Sequence, residues 1–219
     1  MRALIIGSSG GIGAALAAEM ATRAEVVGLS RRKDGLDVTD EASIARALAR
    51  LEPPFHRIIV ATGALEIGGQ PPEKTLKALN PEALARHFAL NATGPALVLK
   101  HALRLMPRDA DCRFAALSAR VGSIGDNRLG GWYAYRAAKA ALNQLIHTAA
   151  IEIARSHPRA VVVCLHPGTV ATTFTQKYQA QHPTVPPETA AQNLAAVLER
   201  LTPQQTGRFF DWQGHEVPW

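Results

Sequence analysis

Tyr135 and Lys139 stand four residues apart in the run Gly-Trp-Tyr-Ala-Tyr-Arg-Ala-Ala-Lys-Ala-Ala-Leu-Asn, from Gly131 to Asn143. The alanines around them favour helix, so both side chains project from one face about a turn apart. A free phenol titrates near pH ~10 and is a poor acid or base at neutral pH. A neighbouring ammonium favours the phenolate and lowers that value, and such a tyrosine can pass a proton to or from a carbinol oxygen. Alone the pair is weak, because Tyr-x-x-x-Lys arises by chance and an aromatic ring packed on a lysine stem more often explains it. Its weight depends on the elements that position it.

The 219 residues and 47% hydrophobic content can bury a large core, and one domain over 1–219 is expected. The net charge of +6 is scattered except at Arg31-Arg32-Lys33, which suits a phosphorylated small molecule better than nucleic acid. Cys112 and Cys164 are too few for a disulfide scaffold or a metal site, and a reducing cytoplasm fits them. The apolar run after Met1-Arg2 is too short for a signal segment, and none is long enough to span a membrane. No repeat or low-complexity tract is present.

Ala3 to Ile6 is an apolar run without polar alternation, as in a strand covered on both faces. It opens into Gly7-Ser-Ser-Gly-Gly-Ile-Gly13 and an alanine-rich helix from about Ile12 to Thr22. Strand, glycine turn and helix start in that order form a dinucleotide-phosphate site: Gly7, Gly11 and Gly13 let the backbone approach, and free N–H groups near Ser9 and Ile12 meet the anion. The next strand, Glu25 to Leu29, ends in Ser30-Arg31-Arg32. An NAD site would carry an acid there for the ribose 2′-hydroxyl, whereas guanidiniums suit a 2′-phosphate, so NADP is expected with Arg31 as the ligand.

Only about six residues separate Arg31 from Asp37, too few for a crossover helix, so the third strand shrinks to something near Gly35 to Val38. Asp37 and Val38 either reach an adenine edge or, with Thr39 and Asp40, cap the next helix, about Glu41 to Leu51. Arg57 to Val60 is the fourth strand and runs into Ala61-Thr62-Gly63. A helix begins after Asn80 at Pro81, and Asn91-Ala-Thr-Gly-Pro95 interrupts a helical pattern that reaches Met106. Arg113 to Leu117 and Ala160 to Leu165 are the fifth and sixth strands, ending in Ser118-Ala119-Arg120 and in His166-Pro167-Gly168-Thr169. A histidine before Pro-Gly is more often structural than catalytic. A helix over Thr184 to Leu201 and a strand over Gly207 to Asp211 follow. The alternation specifies an α/β Rossmann fold, a doubly wound parallel sheet of about six or seven strands with helices on both faces.

The glycine turn, Asp37-Val38, Ala-Thr-Gly, Asn91, a serine after the fifth strand, Tyr135-x-x-x-Lys139 and Pro167-Gly168 occur in the order of the short-chain dehydrogenase/reductases, which the chain resembles over nearly its whole length. Gly122-Ser-Ile-x-x-Asn127 and the Tyr135 run are similar to the C-factor and Sniffer type of carbonyl reductase. The resemblance implies an NADP(H)-dependent oxidoreductase that moves hydride between nicotinamide C4 and a small carbonyl or alcohol. Tyr135 would be the general acid in reduction, Lys139 would hold the nicotinamide ribose, and Asn91 would order a water in the relay. Ala61, Thr62, Gly63, Pro167, Gly168 and Thr169 would border the cofactor, with Arg31 on its 2′-phosphate and Asp37 on adenine.

One position departs from the family. The serine expected three residues before Gly122 is Ala119, so Ser118 or Ser123 would have to supply its hydroxyl. That departure keeps a second reading open, a nucleotide-binding regulator of the same fold with little turnover. The family further implies a homodimer or tetramer joined through the helices at about Asn80 to Met106 and Trp132 to Ala154. The segment from Thr172 to Pro187 would close over the substrate, and its only aromatics, Phe174 and Tyr178, suggest an open site.

Overall fold

The computed structural model describes residues 1–173, 175 and 183–219. Six parallel strands form one sheet in the order β2-β1-β3-β4-β5-β6: β1 Arg2–Ile6, β2 Glu25–Leu29, β3 Arg57–Val60, β4 Cys112–Leu117, β5 Ala160–His166 and β6 Phe209–Asp211. The runs in β1, β3, β4 and β5 are buried almost throughout because both faces are covered. Alternate residues divide between two cores. Leu4, Ile58, Phe114 and Val162 pack with helices α3 (Glu41–Ala49), α5 (Gly94–Ala102) and α6 (Tyr133–Ile153). Ile5, Ile59, Ala115 and Val163 pack with α1 (Gly11–Ala21) and α7 (Pro187–Arg200). Among the described residues no helix is long and apolar enough to cross a membrane.

No strand forms near Gly35 to Val38, which corrects that expectation. The chain instead makes one helical turn, α2 (Arg31–Asp34), whose N-terminus Ser30 caps and whose exit Gly35 turns at φ 69°. Leu36 and Val38 then bury their side chains in the core without joining the sheet. Six residues cannot return the chain to the starting edge of a parallel sheet, so the connection lies across the end of the core.

The interruption expected at Asn91 to Pro95 is also corrected, because the chain stays helical. Between α4 (Pro81–Phe88) and α5 the backbone widens into a π turn over Ala89–Thr93, with Gly94 N donating to Ala89 O. Such turns recur at functional sites. A Cβ at Gly94 would meet Val38 O at 2.6 Å, so glycine lets the Val38 segment lie against this turn. The other elements agree with expectation to within a few residues at their ends.

Candidate active site

A cleft of about 900 Å³ opens along the carboxyl ends of β1, β3, β4 and β5, where an open parallel sheet receives its ligands. At one side, Gly7 (φ 89°) leaves β1 and Gly10 opens α1 with no side-chain cap and no acid in the first turn. The first amide groups of α1 therefore keep their capacity for an anion. A Cβ at Gly13 would lie 2.1 Å from Gly7 O, and one at Gly7 would lie 2.9 Å from Ala61 O. These are backbone contacts that no side-chain movement relieves, so the turn is a close-fitting cradle of a kind that admits a pyrophosphate. Gly11, Ile12 and Gly13 line the cleft, and Ser9 is half-buried beside them.

At the end of β2, Ser30 is buried and accepts from Lys33 N at 3.3 Å, which aligns α2. Arg31, Arg32 and Lys33 are exposed. Asp37 Oδ1 accepts from Thr39 N at 2.8 Å and from Thr39 Oγ1 at 2.7 Å, and these bonds hold its carboxyl below the usual range against partial burial. The carboxylate thus braces a turn, while Asp40 caps α3. Val38 is buried.

Ala61, Thr62 and Gly63 line the cleft floor after β3, and Thr62 Oγ1 is enclosed with no hydrogen-bond partner among the described residues. Asn91 is 0% exposed; its Oδ1 accepts from Ala64 N at 3.0 Å, and its Nδ2 donates to Ala64 O at 3.0 Å and faces His87 Nδ1 at 3.1 Å. Donation from that amide leaves Nδ1 as the acceptor, and burial pushes the imidazole down, which keeps it neutral.

Tyr135 and Lys139 lie where α6 meets the end of β4, 6% and 3% exposed. Lys139 Nζ donates to Leu117 O at 2.9 Å and stands 5.8 Å from the Tyr135 ring centroid. Burial pushes the lysine down to about 8 and pushes the phenol up from its ordinary value. The direction is opposite to the lowering expected from the Tyr-Lys spacing, and its cause is burial of the phenol. A Cβ on Gly63 would stand 2.9 Å from Asn91 Oδ1 and 3.5 Å from Lys139 Nζ, so the bare glycine leaves a space between these two groups.

Ser118 is buried on the cleft wall with its hydroxyl donating to Asn143 Oδ1 at 2.6 Å. Ser123 is buried outside the cleft lining and accepts from Asp126 N at 3.1 Å. Ala119 lines the cleft beside Ser118. Pro167, Gly168 (φ 78°) and Thr169 line the opposite side with His166, whose Nδ1 is enclosed without a partner among the described residues. Burial, helped by Arg120 and opposed by Asp211, pushes that imidazole down to about 4. Trp132, Leu129 and Arg136 also line the cleft. They carried no motif, and their adjacency to Tyr135 in sequence was the only signal. Phe174 and Tyr178 lie outside the described residues.

The family described as enoyl-(acyl carrier protein) reductase matches residues 12–209. The C-signal protein of Myxococcus xanthus is 38% identical over 62% of this chain and 78% of its own length. A 1-hydroxy-2-glutathionyl-2-methyl-3-butene dehydrogenase of Rhodococcus is 30% identical over 84% of this chain and 79% of its own. Among solved structures, an NADPH-bound carbonyl reductase from chicken fatty liver superposes with a TM-score of 0.82 at 22% identity, covering 100% of this chain and 98% of that one. With Asn91 and Lys139 meeting around Gly63 beside Tyr135, and a family model matching nearly the whole chain, the chain belongs to the short-chain dehydrogenase/reductase family.

Proposed function

We propose that the protein is an NADP(H)-dependent oxidoreductase that interconverts a small carbonyl compound and its alcohol. The observation that carries this reading is the placement of two buried groups, a phenol and an ammonium, at the inner end of a cleft whose other end is a bare helix N-terminus. When bound, the nicotinamide exchanges hydride with the substrate carbon. Gly7, Ser9, Gly11, Ile12 and Gly13 hold the pyrophosphate, Arg31 binds the 2′-phosphate with Ser30 shaping its turn, and Pro167, Gly168 and Thr169 border the nicotinamide. Asp37 and Val38 flank adenine through the turn they shape, and Ala61, Thr62 and Gly63 form the floor.

Tyr135 is the proton donor in reduction, and the burial that raises its pKa keeps it protonated at neutral pH. Lys139 holds the ribose, and a water over Gly63 links its ammonium to Asn91. Of the two candidate serines, Ser118 is the one on the cleft, but it polarises a carbonyl only after its proton leaves Asn143. Tyr135 therefore supplies most of the polarisation. One observation favours a second reading, a regulator that binds NADP(H) and turns over slowly: Ala119 on the cleft wall.

The same reading makes the protein a homodimer or tetramer in the cytoplasm. It is supported by apolar side chains left exposed along the paired helices, Phe88 on α4 and Leu145 and Ile151 on α6, and by two buried free thiols. Sedimentation at micromolar concentration is expected to show a dimer or larger, and monomer alone would contradict it.

The cofactor is tested by titrating wild type and Arg31→Ala with NADPH and NADH. We expect NADPH to bind more tightly in wild type, and the variant to lose about 10- to 100-fold for NADPH, the ~1.5–3 kcal/mol of a hydrogen bond to a charged group, with NADH unchanged. Equal NADPH affinity in both proteins would remove Arg31 from the site.

A further inference from the structure

Helix α6 begins in an unusual way. Trp132, the residue before it, adopts the left-handed conformation at φ 53°, rare for a bulky residue, and no side chain of the helix's own start caps its first amides. No acid lies in the first turn either. The missing partners come from one residue about sixty positions upstream. The backbone carbonyl of Glu73 accepts from Trp132 N at 2.5 Å, and its Oε2 accepts from Ala134 N at 3.2 Å. Glu73 is 8% exposed, and its Oε1 is enclosed with no partner among the described residues. A buried carboxylate oxygen left unpaired is costly, and such a cost is retained where the rest of the group has a role.

Ala134 immediately precedes Tyr135. The Tyr135 ring lies edge-on between Trp132, at 6.5 Å between centroids, and His87, at 6.0 Å. The left-handed residue, the capped amide and the proton donor thus belong to one turn, and Glu73 grips that turn at two points.

We infer that Glu73 is a positioning residue for the oxidoreductase: from outside the cleft it fixes the turn that aims Tyr135 and Trp132 into it. It does not itself line the cleft, and it acts through the helix start, where it holds the lining residue Trp132 and the amide of Ala134. The inference rests on the function proposed above in assigning Tyr135 its role. A proton donor misplaced by a fraction of an ångström loses rate more than affinity, because the alignment matters at the transition state.

The test compares Glu73→Ala and Glu73→Gln. Glutamine keeps a carbonyl oxygen for Ala134 N–H, while alanine removes it. With NADPH and a turned-over carbonyl, Glu73→Ala is expected to lower kcat about 10- to 100-fold, with KM for NADPH within about twofold. Glu73→Gln is expected to recover most of kcat. Hydrogen exchange at the first amides of α6, read without any substrate, should quicken in Glu73→Ala and stay near wild type in Glu73→Gln. If alanine does not fold, Glu73→Asp, one methylene short of Ala134 N, takes its place. Wild-type kcat in the alanine or aspartate variant, or a glutamine variant as impaired as alanine, would overturn the assignment. If wild type turns over no carbonyl, the proposed function fails alone, and the exchange experiment still decides whether Glu73 holds the turn.

Discussion

Tyr135→Phe is expected to lower kcat by about 10²- to 10⁴-fold, the range of a positioned general acid, while NADPH binds within about threefold of wild type. Two structural facts support so clean a separation. The phenol is nearly fully buried beside Lys139, so phenylalanine fills its volume without opening the site. The phosphate cradle and Arg31 belong to α1 and to the end of β2, elements separate from the helix that carries Tyr135. The expected loss corresponds to about 3–5 kcal/mol of transition-state stabilisation. A tenfold loss or less would mean that another group donates the proton, and weakened NADPH binding alone would mean that the tyrosine serves the cofactor.

Arg57→Leu is expected to destabilise the protein by about 3 kcal/mol, the low end for a broken buried pair, because Arg57 is buried while its carboxylate partners are partly exposed. Arg57 opens β3 with its side chain 6% exposed; Nε and Nη2 donate to Glu199 Oε1 and Oε2 at 2.7 Å each, and Nη2 also meets Asp111 Oδ2 at 2.8 Å. The cluster ties α7 and the approach to β4 to the base of the sheet. Arg57's hydrogen bonds hold the Glu199 carboxyl below its usual range against burial. Burial raises Asp111, but Arg113 and Arg57 more than offset it and leave it low. Carboxyls depressed in the folded state add stability that is present above their unfolded values, near pH ~4, and is lost as pH falls through the folded ones. Thermal unfolding should therefore show wild type losing its advantage over Arg57→Leu below pH ~4. A variant as stable as wild type at pH ~7 would show that hydrophobic packing replaces the cluster without cost.

What could be read from the chain alone follows a physical boundary. The glycine cradle was legible because a buried strand, closely spaced glycines and an uncapped helix start are local features. So was the shared face of Tyr135 and Lys139, which depends only on helical period. The sign of the Tyr135 shift was not, because spacing gives a charged neighbour but not the depth of burial that raises the phenol. Asp37 was ambiguous for a related reason. An Asp-Val-Thr sequence braces its own turn whether or not adenine lies beside it, and only coordinates show both bonds to Thr39. The π turn at Asn91 resembled a break because glycine and proline end most helices. Here α6 and the Val38 segment pack against it and keep it wound. Glu73 gave no signal at all, because a cap delivered from sixty residues away has no sequence pattern. Ser118 and Ser123 were separated only by the tertiary structure, which puts one hydroxyl on Asn143 and the other on Asp126 N.

The most direct test of the whole account is transfer of the label from NADPH deuterated at nicotinamide C4 to a panel of aldehydes and ketones, read by mass spectrometry of the products. The account predicts deuterium at the carbinol carbon of at least one product with wild type, and at most trace label with Tyr135→Phe. Tight NADPH binding with no label in any product would contradict it and leave the protein a nucleotide-binding regulator.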